Sequence, residues 1–438
     1  MGQSPPIYLN AGDIVTLGIA QLITRRQWWS TRNLYKRSFS MSVLVGTDDS
    51  AMTTEAWQVQ RHLLAWLLNE ACPLWASAGV DGNTGGFVES LDQHGAPLAY
   101  PRRARVQPRQ VYAFVHAAEL GWAGPAGEIA ERGLRYFVEK YRRSDGLYRT
   151  LVGVDGAPLD DSVLLYDQAF ALLGMAARHK LSAHAGMWER QAEELLAALH
   201  RHLKHPQGGF DSGLPNRWPL LSNPHMHLFE AALEWRDSSA NPVWHTLTED
   251  LGALALARFI DPVNGVVRET FDTAWNPMPG ISGRIVEPGH QFEWAWLLLR
   301  WSDEGRPEAM HAALNLIEIS ERAGICNGVA VDALLDDLTI HTASARLWPQ
   351  TERLKAASLA AALTGTSLHW TRAAAAATAL RQYLATPTRG LWQDQLNADG
   401  TFVIGPAPAS NFYHIVAAIL AFTMALRRCA KRQCGRLA

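Results

Sequence analysis

Two kinds of helical pattern alternate along the chain. In one, apolar residues run almost unbroken, as from Trp294 to Leu299 and from Ile415 to Phe422; a helix that is apolar on most faces is buried on all sides. In the other, as in segments 128–140, 188–202 and 306–322, charge is frequent and apolar residues keep to one stripe, which predicts outer, half-exposed helices. Six such alternations predict an all-α protein, an (α/α)6 barrel of six outer/inner helix pairs. Closure buries the inner faces that an open array would leave bare. The alternative is an open solenoid, which needs polar terminal repeats, whereas all six inner segments look core-like.

A glycine-led segment separates each outer pattern from the next inner one. The six lie about 60 residues apart: Gly86-Phe87, Gly146-Leu147, Gly209-Phe210, Gly265-Val266, Gly328-Val329 and Gly390-Leu391. Each opens a short extended stretch, so the long loops are expected to carry short β-like segments. Because outer helices run one way and inner helices return, all six loops and all six inner-helix starts fall at one mouth.

Composition supports one large domain. No linker splits the 438 residues, and the formal net charge of −2 gives no reason to expect nucleic acid or an anionic membrane as partner. Four scattered cysteines without a Cys-x-x-Cys pair suggest a reducing, cytoplasmic setting. No uninterrupted apolar run reaches the 18 or more residues of a membrane span. Residues 1–45, rich in Arg and Ser with Asp13 as their one acid, fall outside the repeat and are expected to be a disordered extension, with a transit peptide as the rival. The barrel is then 46–430, followed by a basic tail, 431–438. Seventeen tryptophans suit either a core or sugar stacking.

Three histidines stand near the starts of inner helices, His227, His290 and His414, and the repeat places them in register at the mouth. Glu293 follows His290 at i+3 and Glu230 follows His227 at i+3, spacings that let a carboxylate orient an imidazole. The His-Glu-x-x-His spacing of a helical metal site is absent, so no metal is expected. Nucleophile-elbow, Walker and dinucleotide fingerprints are absent too, and no cofactor is expected. Imidazoles titrating near neutrality suit proton transfer.

Segments 101–112 (Pro-Arg-Arg-Ala-Arg-Val-Gln-Pro-Arg-Gln-Val-Tyr), 223–231 (Asn-Pro-His-Met-His-Leu-Phe-Glu-Ala), 287–294 (Glu-Pro-Gly-His-Gln-Phe-Glu-Trp), 346–352 (Arg-Leu-Trp-Pro-Gln-Thr-Glu) and 412–414 (Phe-Tyr-His) resemble the N-acylglucosamine 2-epimerase superfamily, from about Trp57 to Leu426. The 287–294 and 348–352 segments are most similar to its mannose isomerase branch. The resemblance implies an (α/α)6 barrel and metal-independent isomerisation or 2-epimerisation of a monosaccharide. By it His290 and His414 form the acid/base pair, with Glu293 supporting His290, and His227 and Glu230 belong to the sugar site. Passing a proton between C1 and C2 through an enediol needs a base at carbon and a shuttle between oxygens, and His414 is assigned to carbon. Arg109 is expected to stabilise the enediolate, and Asn223, Tyr112, Tyr166, Trp348 and Gln350 to contact the sugar. Relatives commonly carry tryptophan where this chain has Arg105. Either Arg105 reads a phosphate or sulfonate on the sugar, or it turns outward. Mannose–fructose interconversion is the leading expectation. A 2-epimerase of N-acylglucosamine or a neutral sugar, a glycoside hydrolase, and a non-catalytic sugar- or protein-binding barrel are its rivals. Monomer and homodimer both stay open.

Overall fold

The computed structural model describes residues 49–181, 185–302 and 305–436. The expected 1–45 extension lies outside them. The outer helices are α1 (Asp49–Trp66), continued by a π-turn (Leu67–Ala71) into α2 (Cys72–Ser77), then α4 (Ala126–Tyr141), α6 (Ala185–His202), α8 (Pro242–Leu254), α10 (Pro307–Ala323) and α12 (Ser367–Tyr383). The inner helices are α3 (Val106–Glu119), α5 (Leu165–Leu181), α7 (Ser222–Ser238), α9 (Pro288–Ser302), α11 (Leu347–Thr364) and α13 (Ser410–Arg436). Each inner helix packs on the next, and α13 returns to α3, so the ring is closed. α1 packs on α12 and α13 and seals the first repeat to the last. Trp75, Trp392 and Phe412 stack at that seam, Trp75 on Trp392 at 4.7 Å.

An outer helix packs mainly on the inner helix that precedes it, as α4 on α3 and α12 on α11. The reason is loop length. Inner-to-outer connections are as short as Gly365-Thr366, which forces antiparallel neighbours. Outer-to-inner connections are the long glycine-led loops. Each long loop pairs by a short antiparallel strand with the following one, from 102–103 with 151–152 round to 407–408 with 90–91. The mouth is thus a second closed ring, built from backbone hydrogen bonds.

The core accounts for most of the aromatic excess, with Trp75, Trp188, Trp235, Trp244, Trp294 and Trp392 fully buried. α13 is the one described helix long and apolar enough to cross a membrane by length and composition, with 67% of that stretch buried as the sixth inner helix. Its helical course reaches Arg436 and takes in the start of the expected 431–438 tail.

Candidate active site

A repeated side-chain clamp sets the register of the mouth. Gln107 accepts from the Phe87 N–H at 2.8 Å and donates to its carbonyl at 2.9 Å. Gln168 does the same to Tyr148, Gln291 to Val267 and Gln350 to Ala330, while His225 accepts from the Phe210 N–H at 3.0 Å. The clamped residue stands two places after a glycine with positive φ: Gly85, Gly146, Gly208, Gly265 and Gly328. In the first repeat that glycine is Gly85 rather than Gly86; in the third Gly208 and Gly209 both have positive φ, and the clamp on Phe210 gives Gly208 the equivalent place. Gln350 is buried, with its amide taken up by the Ala330 backbone and the Arg346 carbonyl, so its side chain holds the loop.

Against this register the three histidines are not equivalent. His290 precedes its clamp, His227 follows His225 by two, and His414 is the fifth residue of α13. They converge because different turns of different helices meet near the axis, and each is at most 6% exposed.

His290 does not take Glu293 as its support. Its Nδ1 lies 2.9 Å from Glu269 Oε2, which leaves Nε2 as the free ring nitrogen. Glu269 is the fourth residue after Gly265, and the same place holds Glu89, Asp332 and Asp394 in other repeats. There these acids tie down Arg103, Arg346 and Asn411. Burial alone would lower the His290 pKa. Glu269 and then Glu287 outweigh it and hold the imidazole up at about 9, so it is protonated at neutrality.

His414 has a similar tether and the opposite charge. Its Nδ1 lies 2.9 Å from Glu352 Oε1, while Lys355 Nζ lies 2.7 Å from Glu352 Oε2. The ammonium already balances that carboxylate, so burial dominates, helped by Arg109 and Lys355, and the His414 pKa falls well below 6.5. His414 is neutral at neutral pH, and Glu269 has no such lysine on it among the described residues. Trp348 lies between the two rings, 5.0 Å from His290 and 5.8 Å from His414 by centroid.

The adjoining wall, α3, carries Arg109, whose Nη2 donates to the Tyr166 hydroxyl at 2.6 Å and whose guanidinium covers Phe170 at 3.9 Å. Arg105 stands one turn earlier, with Nε 2.9 Å from buried Asp167 and its guanidinium over Tyr166. It does not simply turn outward: it is partly exposed at the mouth and ion-paired at its root. Tyr112 lies deeper, packed on His116 and Tyr413. Asn223 is half-buried, and its Oδ1 makes no hydrogen bond.

His227, Glu230 and Glu293 form a fully buried cluster with donor atoms within 4.8 Å of one another. Glu293 Oε1 lies 3.5 Å from His227 Nδ1, and Tyr413 donates to Glu230. His227 Nδ1, Glu230 Oε1 and Glu293 Oε1 are buried and make no hydrogen bond among the described residues. Three converging ligand atoms are what a divalent ion requires. Yet the Lys355 cation faces Glu230 and Glu293, and burial, with Glu352 nearby, raises the Glu293 pKa well above 4.5. A buried ammonium facing the same two carboxylates balances their charge.

Sequence reasoning missed Glu269, Glu352, Lys355 and Tyr413. Glu352 and Tyr413 lay inside the motifs of the family resemblance, and Lys355 was visible as the lysine that follows the polar start of an inner helix, just before its apolar run. Glu269 was legible only through the repeat register.

Residues 85–418 match the profile of the N-acylglucosamine 2-epimerase (GlcNAc 2-epimerase) family. The chain belongs to that family. Within it, the chain is 47% identical over 376 residues to a mannose-6-phosphate isomerase of Rhizobium meliloti strain 1021, covering 84% of this chain and 97% of that protein. Solved structures with the same fold include a D-mannose isomerase (TM-score 0.76, 19% identity, 88% of this chain and 100% of that one). Another is cellobiose 2-epimerase from Spirochaeta thermophila DSM 6192 (TM-score 0.77, 20% identity, 85% and 98%). This member of the epimerase family is an enzyme, a sugar isomerase or epimerase.

Proposed function

We propose that the enzyme interconverts an aldose and a ketose of the mannose–fructose type through an enediol, and that the phosphorylated sugar is its substrate, as the name of the 47% identical relative suggests. The supporting observation is the pair of histidines with opposite charge on either side of Trp348. A neutral imidazole can take a proton from carbon and an imidazolium can give one to oxygen, and environments that push two pKa values apart separate acid from base. His414 removes the proton from C2 of the aldose. His290 protonates the carbonyl oxygen at C1 as the enediol forms and, returned to the neutral form, accepts the O2 proton as the new carbonyl forms. His414 then delivers its proton to C1. Arg109 stabilises negative charge developing on the oxygens. The unpaired atoms of His227, Glu230 and Glu293 receive hydroxyls of the sugar, and Trp348 packs on its apolar face.

Glu269 and Glu352 position the histidines and do not touch substrate in this scheme. The proposal is tested by assaying ketose formation from mannose and mannose 6-phosphate, with His414→Ala as control. Ketose from the native enzyme and none from the variant is expected; a variant of undiminished activity rules out His414 as the base.

A further inference from the structure

We infer that Arg103 and Arg105 form a phosphate-reading clamp at the rim of this mouth, a site that deepens the isomerase proposal and rests on it. The two arginines share one construction. Arg103 Nε lies 2.7 Å from Glu89 Oε2, and Arg105 Nε lies 2.9 Å from Asp167 Oδ1. Both carboxylates are buried, with side chains 5% and 0% exposed, while the arginine side chains are 40% and 20% exposed. Glu89 also acts on Arg105, which places the four groups in one neighbourhood.

A carboxylate held at Nε fixes the plane of a guanidinium and leaves its far edge, Nη1 and Nη2, pointing away. Those terminal nitrogens make no hydrogen bond among the described residues. The far edge of a guanidinium is the fork that matches phosphate oxygens bidentately. Other arginines near the mouth differ. Arg346 is held at Nε by Asp332, at Nη2 by Glu287, and lies over Trp348. Arg102 is buried, with its terminal nitrogens on Asp81, Thr84 and Tyr136.

Location gives the clamp its purpose. Arg105 and Arg109 stand one helical turn apart on the same wall, and both guanidinium groups cover the Tyr166 ring, at 5.3 and 5.4 Å. A sugar whose reacting carbons lie by the histidines and Arg109 has its far end toward Arg105. A phosphate there meets two preformed forks, and the buried acids behind them keep the empty site near neutral.

The test compares kcat/KM for mannose 6-phosphate and mannose in the native enzyme, Arg105→Gln, Arg103→Gln and Arg105→Lys, together with competitive inhibition by inorganic phosphate. A charge-assisted hydrogen bond to phosphate is worth a loss of about tenfold. The phosphorylated-to-free ratio is therefore expected to fall at least about fivefold in each Gln variant, through KM, with phosphate inhibition weakened in parallel and Arg105→Lys in between. Turnover of free mannose by the same variants reports folding. A smaller fall in both variants overturns the clamp, as does a native enzyme that isomerises mannose and is indifferent to inorganic phosphate. Should neither sugar react, the isomerase proposal fails separately. Calorimetric titration with mannose 6-phosphate then decides the clamp: weaker binding to Arg105→Gln sustains it and equal binding overturns it.

Discussion

Glu269 and Glu352 hold their histidines by the same atom at the same distance, and the charges around each pair make the two histidines chemically different: Arg109 and Lys355 beside His414, Glu287 beside His290. The pH profile of kcat follows from that difference. The base must be neutral and the acid protonated, so activity spans the range above the lowered His414 value and disappears as pH rises through about 9. Glu269→Gln removes the main group that raises the His290 value and should move the alkaline limb below 9 with a loss of kcat. Lys355→Met should instead move the acid limb upward, because an uncompensated Glu352 then favours the His414 imidazolium. Rate measurements from pH 5 to 10 check both, and limbs that stay in place would refute the assignment. These assignments were only half legible in the sequence. Glu293 looked like the partner of His290 because helical spacing was the available ruler, but the partner came from a loop 21 residues away.

At the scale of elements, the glutamine clamp is what turns a flexible glycine loop into a fixed rim. The repeat itself was visible from hydrophobic pattern and glycine spacing, and the alternation of buried and striped helices predicted the barrel. Its phase was not. Gly85-Gly86 and Gly208-Gly209 each offer two candidates; backbone φ selects in the first pair, and the clamp partner alone selects in the second. The same ambiguity made three histidines look aligned when they lie on different turns. Gln350, expected at the sugar, belongs to this frame. Gln350→Ala leaves the Ala330 N–H and carbonyl buried without partners, which should cost about 2–4 kcal/mol of stability. Denaturant unfolding measures it, and a variant of native stability with a raised sugar KM would return Gln350 to the substrate.

For the whole molecule, closure joins residues hundreds of positions apart, and a charge network ties the inner helices together along their length. Glu234 of α7 pairs with Lys180 of α5 and with Arg300 of α9 at 2.9 Å. Burial would raise the Glu234 pKa, but Lys180, Arg300 and His116 outweigh it and hold the carboxyl well below 4.5. Its stabilising contribution is complete above that ordinary value and is lost as pH falls toward the depressed one. Glu234→Gln should therefore lower stability at pH 7 by about 1.5–3 kcal/mol, since it removes the buried carboxylate that Lys180 and Arg300 share, while Arg300 keeps Asp237. Thermal unfolding at pH 7 and pH 4 should show the gap narrowing in acid, and a constant gap would contradict the pairing. None of this network was predicted, because pairing across three helices depends on their rotation about their axes, which a single sequence does not specify.

The central claim is that one site, with His414 as base and His290 as acid, carries a proton between C1 and C2. Incubation with mannose 6-phosphate and with mannose in deuterated water, followed by NMR of the products, tests it most directly. The account predicts a fructose-type ketose, with any solvent deuterium it acquires at C1, and no product from His414→Ala. A glucose-type aldose deuterated at C2, formed without accumulation of ketose, would contradict it and make the enzyme a 2-epimerase.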